Sequence, residues 1–193
     1  FAGTISGYSG AVTITDGPTL AQLITINAAT TGAITLDDTN DAYSGSAADL
    51  VLAFAGTVTT HTGTVTITDA PSVAQLKAIN GATTGAITLA VTNGALSGST
   101  ADLLLAFAGT VTTHTGTVTI TDTPSVANLT TINTATSGAI TISGTGALSD
   151  TAANLAAAFA GTISGYSGAV TITDGPTLAQ LKTINAATSG AIT

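Results

Sequence analysis

Two hydrophobic patterns alternate along the chain. In residues 63–68, threonine alternates with Val65 and Ile67, and this period of two in β-branched residues predicts a half-buried strand. From Asp69 to about Asn80, apolar residues recur at helical spacing on one face. The pattern therefore predicts a strand followed by a helix.

The same pair of elements follows a second time. Residues 85–89 predict another strand, a polar turn at 92–94 leads to Ser97, and a helix is expected from about Ser99 to Phe107. Thr110–Thr113 is a candidate for a third short strand. A third strand would bring the sheet and helix layers to similar heights, because stacked strands lie about 4.8 Å apart and packed helices 8–10 Å apart.

The whole pattern repeats with a period of 53, 53 and 52 residues. Phe-Ala-Gly-Thr begins each unit, at Phe1, Phe54, Phe107 and Phe159. Fixed periods of this kind are typical of solenoids and arrays. We expect an α/β repeat fold: a β/α solenoid of two strand–helix half-units per unit, forming an elongated rod. The units of this single continuous segment are 1–53, 54–106, 107–158 and the partial 159–193.

A longer period lies over the first. Residues 1–35 and 159–193 are identical except at positions 24 and 31 and their counterparts 182 and 189. The chain thus ends in the register in which it began. We expect another copy of the pattern to continue at each end, covalently or by head-to-tail stacking.

The expected core follows from the inward positions of these elements. We expect its members, and their equivalents in the other units, to be buried: Val65, Ile67, Leu76, Ile79, Ile87, Leu89, Leu103 and Phe107.

Composition narrows the function classes. Charged residues make up 6% of the chain, the net charge is −8, and Lys77 and Lys182 are the only basic residues, which argues against a nucleic-acid partner. There is no cysteine for a disulfide or thiolate metal site. No apolar run approaches the roughly 20 residues of a membrane span, so we expect no membrane insertion. No nucleophile–base–acid set emerges, and we expect neither an enzyme nor a cofactor.

Two polar residues recur in every unit. One row of aspartates precedes the first helix of each unit, and we interpret it as N-caps rather than calcium ligands: Asp16, Asp69, Asp122 and Asp174. One row of asparagines lies at the helix ends, and we interpret it as structural C-caps: Asn27, Asn80, Asn133 and Asn185. We therefore expect folding to be largely independent of calcium.

Two further groups have metal-binding chemistry. His61 and His114 are equivalent, but Tyr8 and Tyr166 fill the same slot, so a planar side chain at a turn is favoured over a zinc ligand. In the first unit only, acidic residues cluster as weak calcium candidates, with a solvated turn as the alternative: Asp37, Asp38 and Asp41.

Threonine rows form the most distinctive expected surface. Because Val65 and Ile67 face inward, the threonines between and beside them should face outward, with equivalents in later units: Thr64, Thr66, Thr68, Thr117, Thr119, Thr121, Thr171 and Thr173. Such flat arrays of alternating threonines resemble those of ice-binding proteins. Plain β propensity, lateral packing between fibres and O-linked sugar sites are the other interpretations.

One short motif resembles a known class. Ser-Asp-Thr-Ala-Ala-Asn-Leu at 149–155, with degenerate versions at 99–103 and 46–50, is similar to repeats of very large secreted bacterial cell-surface and adhesin-like proteins, of cyanobacterial or proteobacterial type. The resemblance implies an extracellular, structural role. We expect a filament, sheath or surface-layer protein whose partners are copies of itself, head-to-tail or lateral. An adhesin stalk or a threonine-rich ice- or surface-binding module is the alternative.

Overall fold

A computed structural model describes residues 7–193. In this part of the chain, strands of three residues alternate with helices of seven or ten residues. The strands are β1 (Val12–Ile14), β2 (Ile34–Leu36), β3 (Tyr43–Gly45), β4 (Val65–Ile67), β5 (Ile87–Leu89), β6 (Leu96–Gly98), β7 (Val118–Ile120), β8 (Ile140–Ile142), β9 (Leu148–Asp150) and β10 (Val170–Ile172). The helices are α1 (Leu20–Ala29), α2 (Ala47–Ala53), α3 (Val73–Ala82), α4 (Thr100–Ala106), α5 (Val126–Ala135), α6 (Ala152–Ala158) and α7 (Leu178–Ala187).

All strand pairs are parallel, and they form four small sheets: β1–β2, β3–β4–β5, β6–β7–β8 and β9–β10. The register is constant. Tyr43 pairs with Val65 and Val65 with Ile87, so each step along a sheet is 22 residues (65 − 43 and 87 − 65). Equivalent side chains therefore lie side by side in columns. We call the chain between two such paired positions a coil.

The described residues form two compact units. The first comprises residues 7–91 with Ala108–Thr112, and contains the sheets β1–β2 and β3–β4–β5. The second comprises Thr92–Phe107 and Thr113–Thr193, and contains the sheets β6–β7–β8 and β9–β10. Within each unit, long and short helices pack against each other, as α1 does with α2 and α5 with α6. The expected α/β alternation is confirmed; a single continuous rod stays a prediction.

A third strand is present in each full unit, but Thr110–Thr113 does not form it. There, Val111 makes only a single parallel bridge to Ile87. The third strands are β3, β6 and β9, and they lie directly after the predicted polar turn, as β6 (Leu96–Gly98) does after 92–94. A strand of three residues is too short to show an alternating apolar pattern in the sequence. In β6 only Leu96 is buried, while Ser97 faces outward.

Thr112 explains why β5 has no full-length neighbour beyond it. Its hydroxyl donates to the Ile87 carbonyl at 3.3 Å and accepts from the Leu89 amide at 3.3 Å. Thr59 does the same for β2, with Ile34 and Leu36. At these two positions the main chain makes a short bridge, and the threonine hydroxyl supplies the acceptor that a longer strand would offer to the next amide.

Glycine precedes many of the strands because the backbones of neighbouring coils come very close there. A Cβ atom on Gly85 would overlap the carbonyl oxygen of Gly63, and one on Gly138 would overlap that of Gly116. The recurring Gly-Ala/Thr-Val/Ile start of the strands is therefore a packing requirement.

The predicted core is largely confirmed. Seven of the eight expected residues are buried, with exposed fractions of 0–3%: Val65, Ile67, Leu76, Ile79, Ile87, Leu89 and Leu103. Phe107 is only half-buried, unlike its equivalents Phe54 and Phe159, and no contact explains the difference. Leu181, the equivalent of Leu76, differs from the other members of its row in being 38% exposed.

Replacing Leu76 by aspartate should unfold the first compact unit, to which Leu76 belongs. The change removes a fully buried side chain and places an unpaired charge in the core, so we expect a loss of at least about 4 kcal/mol in the free energy of unfolding. Thermal and urea melts followed by circular dichroism measure it. Leu52→Asp is the matched control, because Leu52 lies on a helix of the same unit but is 55% exposed. Equal melts for both variants would contradict the assigned core.

Candidate functional site

The aspartate row does cap helices, but not the helices that we predicted. The N-caps of the long helices are hydroxyl residues instead: Thr19, Ser72, Ser125 and Thr177. Proline at the second position after each aspartate delays the helix, so the aspartates Asp16, Asp69, Asp122 and Asp174 all lie outside it. A sequence signal was available, because Ser72 and Gln75 form a capping box whose spacing is visible in the sequence.

Three of these aspartates instead cap the short helix of the preceding coil. Asp69 Oδ1 accepts from the Ala47 amide at 2.7 Å, and Asp174 Oδ1 accepts from the Ala152 amide at 2.7 Å. Asp122 Oδ1 accepts from the amide of Thr100 at 2.8 Å and from its hydroxyl at 2.6 Å. The Thr100 hydroxyl, followed by the amide, lowers the pKa of Asp122. The carboxylate of Asp16 has no such bond within residues 7–193.

The asparagine row also acts between coils. Asn27, Asn80 and Asn133 lie inside the long helices, whose C-caps are threonines, so they are not the C-caps that we expected. Asn27 Nδ2 donates to three carbonyls at the end of α2, those of Leu52, Ala53 and Ala55, at 2.7–3.1 Å.

Two further asparagines of the row also donate to the main chain of the next coil. Asn133 donates likewise to Ala157, Ala158 and Ala160, the last at 2.6 Å. Asn80 donates to the Ala108 carbonyl at 2.7 Å. Asn185 makes no such bond in the described part of the chain. The asparagines therefore bind carbonyl groups of the next coil and do not cap their own helices.

The short helices α2 and α6 therefore receive hydrogen bonds at both ends from neighbouring coils. The N-terminus of α2 is bound by its own N-cap Ser46 and by Asp69 of the following coil. Its C-terminal carbonyls are bound by Asn27 of the preceding coil. A helix of seven residues is far below the roughly 12–15 residues needed for stability in isolation. Its polar ends are satisfied by side chains from two neighbours.

A buried planar side chain joins each coil to those on either side. His61 Nε2 lies 2.5 Å from the Asp41 carbonyl oxygen, and Nδ1 lies 3.2 Å from Thr83 Oγ1. His114 contacts the Gly94 carbonyl at 2.6 Å and Thr136 Oγ1 at 3.3 Å. The favoured interpretation, a planar side chain at a turn, matches this geometry.

Tyrosine performs part of the same role. In the partial fourth unit, the Tyr166 hydroxyl donates to the Gly146 carbonyl of the preceding coil. Each of these rings packs beside a phenylalanine, with centroids 5.5 Å apart for Phe54 and His61 and 5.9 Å apart for Phe159 and Tyr166. Tyr8 is 48% exposed, in contrast to buried Tyr166.

The acidic cluster of the first unit does not assemble into a metal centre. Asp37 and Asp38 are exposed, and Asp38 Oδ1 accepts from the Asn40 amide at 3.2 Å in a local turn. Asp41 is half-buried, and its Oδ2 atom has no hydrogen-bond partner. Among residues 7–193, no group of three or more histidine or acidic side chains could hold a metal ion.

Tyr43 occupies a special environment beside that cluster. Its ring is buried against Phe54 and His61, and its hydroxyl has no hydrogen-bond partner. Burial, and then the negative charges of Asp41 and Asp38, raise the pKa of Tyr43 to about 12. Leucine takes this position in β6 and β9, so the polar environment is peculiar to the first unit.

The sheets present hydroxyl and methyl groups to solvent. In β3–β4–β5 the middle residues Ser44, Thr66 and Thr88 form one column, and Ser97, Thr119 and Thr141 form the equivalent column in β6–β7–β8. Alanine or threonine lies beside them at the preceding outward positions, namely Ala42, Thr64, Ala86, Ala95, Thr117 and Ala139. We call each set, with Thr68 and Thr121, a hydroxyl face. The predicted outward orientation of the threonines on β4, β7 and β10 agrees with their exposed or half-buried state.

No family model, curated protein or solved structure matches the chain. No helix among the described residues is long and apolar enough to cross a membrane.

Removing the carboxylate of Asp122 should destabilise the second compact unit, Thr92–Phe107 with Thr113–Thr193. We expect Asp122→Ala to cost about 1 kcal/mol, as loss of a helix cap does, and Asp122→Asn to cost less because it keeps an acceptor oxygen. Because the pKa of Asp122 is lowered on folding, its contribution is present at neutral pH and is lost as the pH falls below 3.8. Urea melts at pH 7 and pH 3 measure both effects. Asp37→Ala, an exposed carboxylate without a capped helix, should change little; an equal loss there would contradict the capping role.

His61 should make the stability of the first compact unit, residues 7–91 with Ala108–Thr112, sensitive to mild acid. Burial lowers the pKa of His61 from 6.5, although the Asp41 carbonyl and charge partly oppose this effect. The unfolded chain then binds the proton more strongly, so stability falls as the pH drops below 6.5. Tyrosine is accommodated at the equivalent position 166, so His61→Tyr should fold and show a smaller decrease in melting temperature between pH 7 and pH 5. Identical pH profiles for the two chains would contradict this assignment.

Proposed function

We propose that this chain is a segment of an extracellular structural protein, in which stacked repeats form a β/α solenoid of a filament, sheath or surface layer. The observation that carries the proposal is the capping of the short helices by side chains from neighbouring coils. The helices α2 and α6 each receive hydrogen bonds from the coil before and the coil after. Such nearest-neighbour dependence is the physical basis of arrays that extend in one dimension.

The parallel register supports the same proposal. Every paired strand is parallel to its neighbour, and successive coils repeat the same pairings. Main-chain hydrogen bonds then run along the direction of stacking, and each further coil can form the same parallel pairing with the coil before it. Copies of the same pattern, continuing axially, are the partners that we propose.

Composition supports an extracellular location. With 6% charged residues, no cysteine and two lysines, the surface offers few sites for trypsin-like proteases and little dependence on salt or redox conditions. The short motif at 149–155 forms β9 and the start of α6, where Thr151 is the N-cap. It thus has a structural role within the repeat, as the resemblance to bacterial surface repeats implies.

A second candidate function is a surface-binding module, either an adhesin stalk or an ice-binding protein. The hydroxyl faces favour it, because columns of threonine and serine lie at the strand spacing of about 4.8 Å. A thermal-hysteresis measurement on the purified chain tests ice binding directly. Imaging of the native material separates a filament, with a repeating axial density, from a stalk.

An in-register extension tests the proposed solenoid. Because residues 159–193 repeat residues 1–35, adding residues 36–193 after Thr193 inserts three more units without a foreign junction. In small-angle X-ray scattering we expect an unchanged cross-section and a length increase of roughly 15 Å per unit. A chain with the same composition but a scrambled extension is the control. Growth in cross-section rather than length would contradict a solenoid.

A further inference from the structure

We propose that the hydroxyl faces are lateral contact surfaces, and that the partner of each face is the hydroxyl face of a second copy of this chain. The inference rests on the proposed structural function, since it supplies the sideways contact between solenoids. It concerns the faces on β3–β4–β5 and β6–β7–β8, each within one compact unit.

Charge is the first argument. The chain has a net charge of −8, so two copies repel each other wherever their aspartates meet. The outward positions of both hydroxyl faces contain only alanine, serine and threonine. Asp37, by contrast, lies just beyond β2 on the sheet β1–β2, which we therefore leave out. A second copy can approach these two faces without burying a like charge against a like charge.

Unused hydrogen-bonding capacity is the second argument. Many threonine hydroxyls in this chain bind a neighbouring coil, as those of Thr83 and Thr112 do. The hydroxyls of Ser44, Thr66 and Thr88 make no hydrogen bond within residues 7–193, nor do those of Ser97, Thr119 and Thr141. They are positioned for partners outside the chain.

Periodicity makes a second copy a better match than an arbitrary partner. The side chains are in columns because the strands pair with no stagger, as with Thr66 opposite Thr88. Side chains that recur about every 4.8 Å within a column present a spacing that a surface with the same repeat matches over many coils. The side chains are also small, which permits the close approach of two sheets, about 10 Å apart.

Area determines how strong the contact can be. One face of three strands and three columns covers about 14 Å by 20 Å, or roughly 280 Å². Stable pairs of proteins bury about 800 Å² per partner. A single face therefore binds weakly, and association should strengthen steeply as more units are joined.

Charge substitution on the full chain tests the proposal. Thr88→Asp with Thr141→Asp, and Thr88→Lys with Thr141→Lys, place like charges on both faces at exposed positions. By sedimentation equilibrium we expect the native chain to self-associate at high concentration, and the association constant of each variant alone to fall at least about tenfold. An equimolar mixture of the two variants should recover association, because opposite charges then meet across the contact.

Ala74→Asp with Ala127→Asp is the matched control, since both positions are exposed on long helices and carry the same added charge. It should associate like the native chain. Circular dichroism melts confirm that all variants fold.

A native chain that stays monomeric at its solubility limit, or association that the face variants leave unchanged, overturns the proposal. Neither result affects the scattering test of the solenoid, so the two proposals fail separately. If the equimolar mixture of the Asp and Lys variants stays monomeric, the hydroxyl faces do not bind each other, and the proposal is overturned in favour of another occupant such as water or a glycan.

Discussion

Hydrogen bonding between coils at the ends of the short helices is the constraint on which the described fold depends. A seven-residue helix such as α2 has more unpaired terminal backbone groups than internal hydrogen bonds. Asp69 and Asn27 satisfy part of that deficit from opposite sides, so the helix is completed by residues 22 and about 25 positions away. Secondary structure and stacking are consequently a single cooperative event in this chain.

The buried planar side chain makes a second set of contacts between neighbouring coils. His61 lies between a carbonyl of the preceding coil and a threonine of the following one, and Phe54 packs on its ring. Histidine and tyrosine exchange at this position because the geometric requirement is a flat ring with a polar atom at its far end. The ring fills apolar space beside the phenylalanine, and its polar atom reaches the preceding coil.

The repeating hydrophobic pattern made most of the fold predictable. Val65, Ile67 and Leu76 were assigned to the core from periodicity alone, because burial on one face leaves a direct mark in sequence. The third strand was placed wrongly because β6 is three residues long and has one buried apolar side chain. The caps were assigned to the wrong helices because a cap within one helix has a fixed local spacing, whereas Asp69 reaches a coil 22 residues earlier. Only three-dimensional stacking brings those residues together.

The threonines that end the sheets have a wider consequence. A short main-chain bridge and the hydroxyl of Thr112 together bond the outer edge of β5, and Thr59 with its neighbours does the same for β2. An open edge of a parallel sheet would recruit any extended segment of another chain, and a sequence so rich in valine, isoleucine and threonine would be prone to amyloid-like growth. With those edges already hydrogen-bonded, misdirected strand exchange is disfavoured. Protection against aggregation then needs only a short main-chain bridge and one threonine hydroxyl per edge, with no added charge.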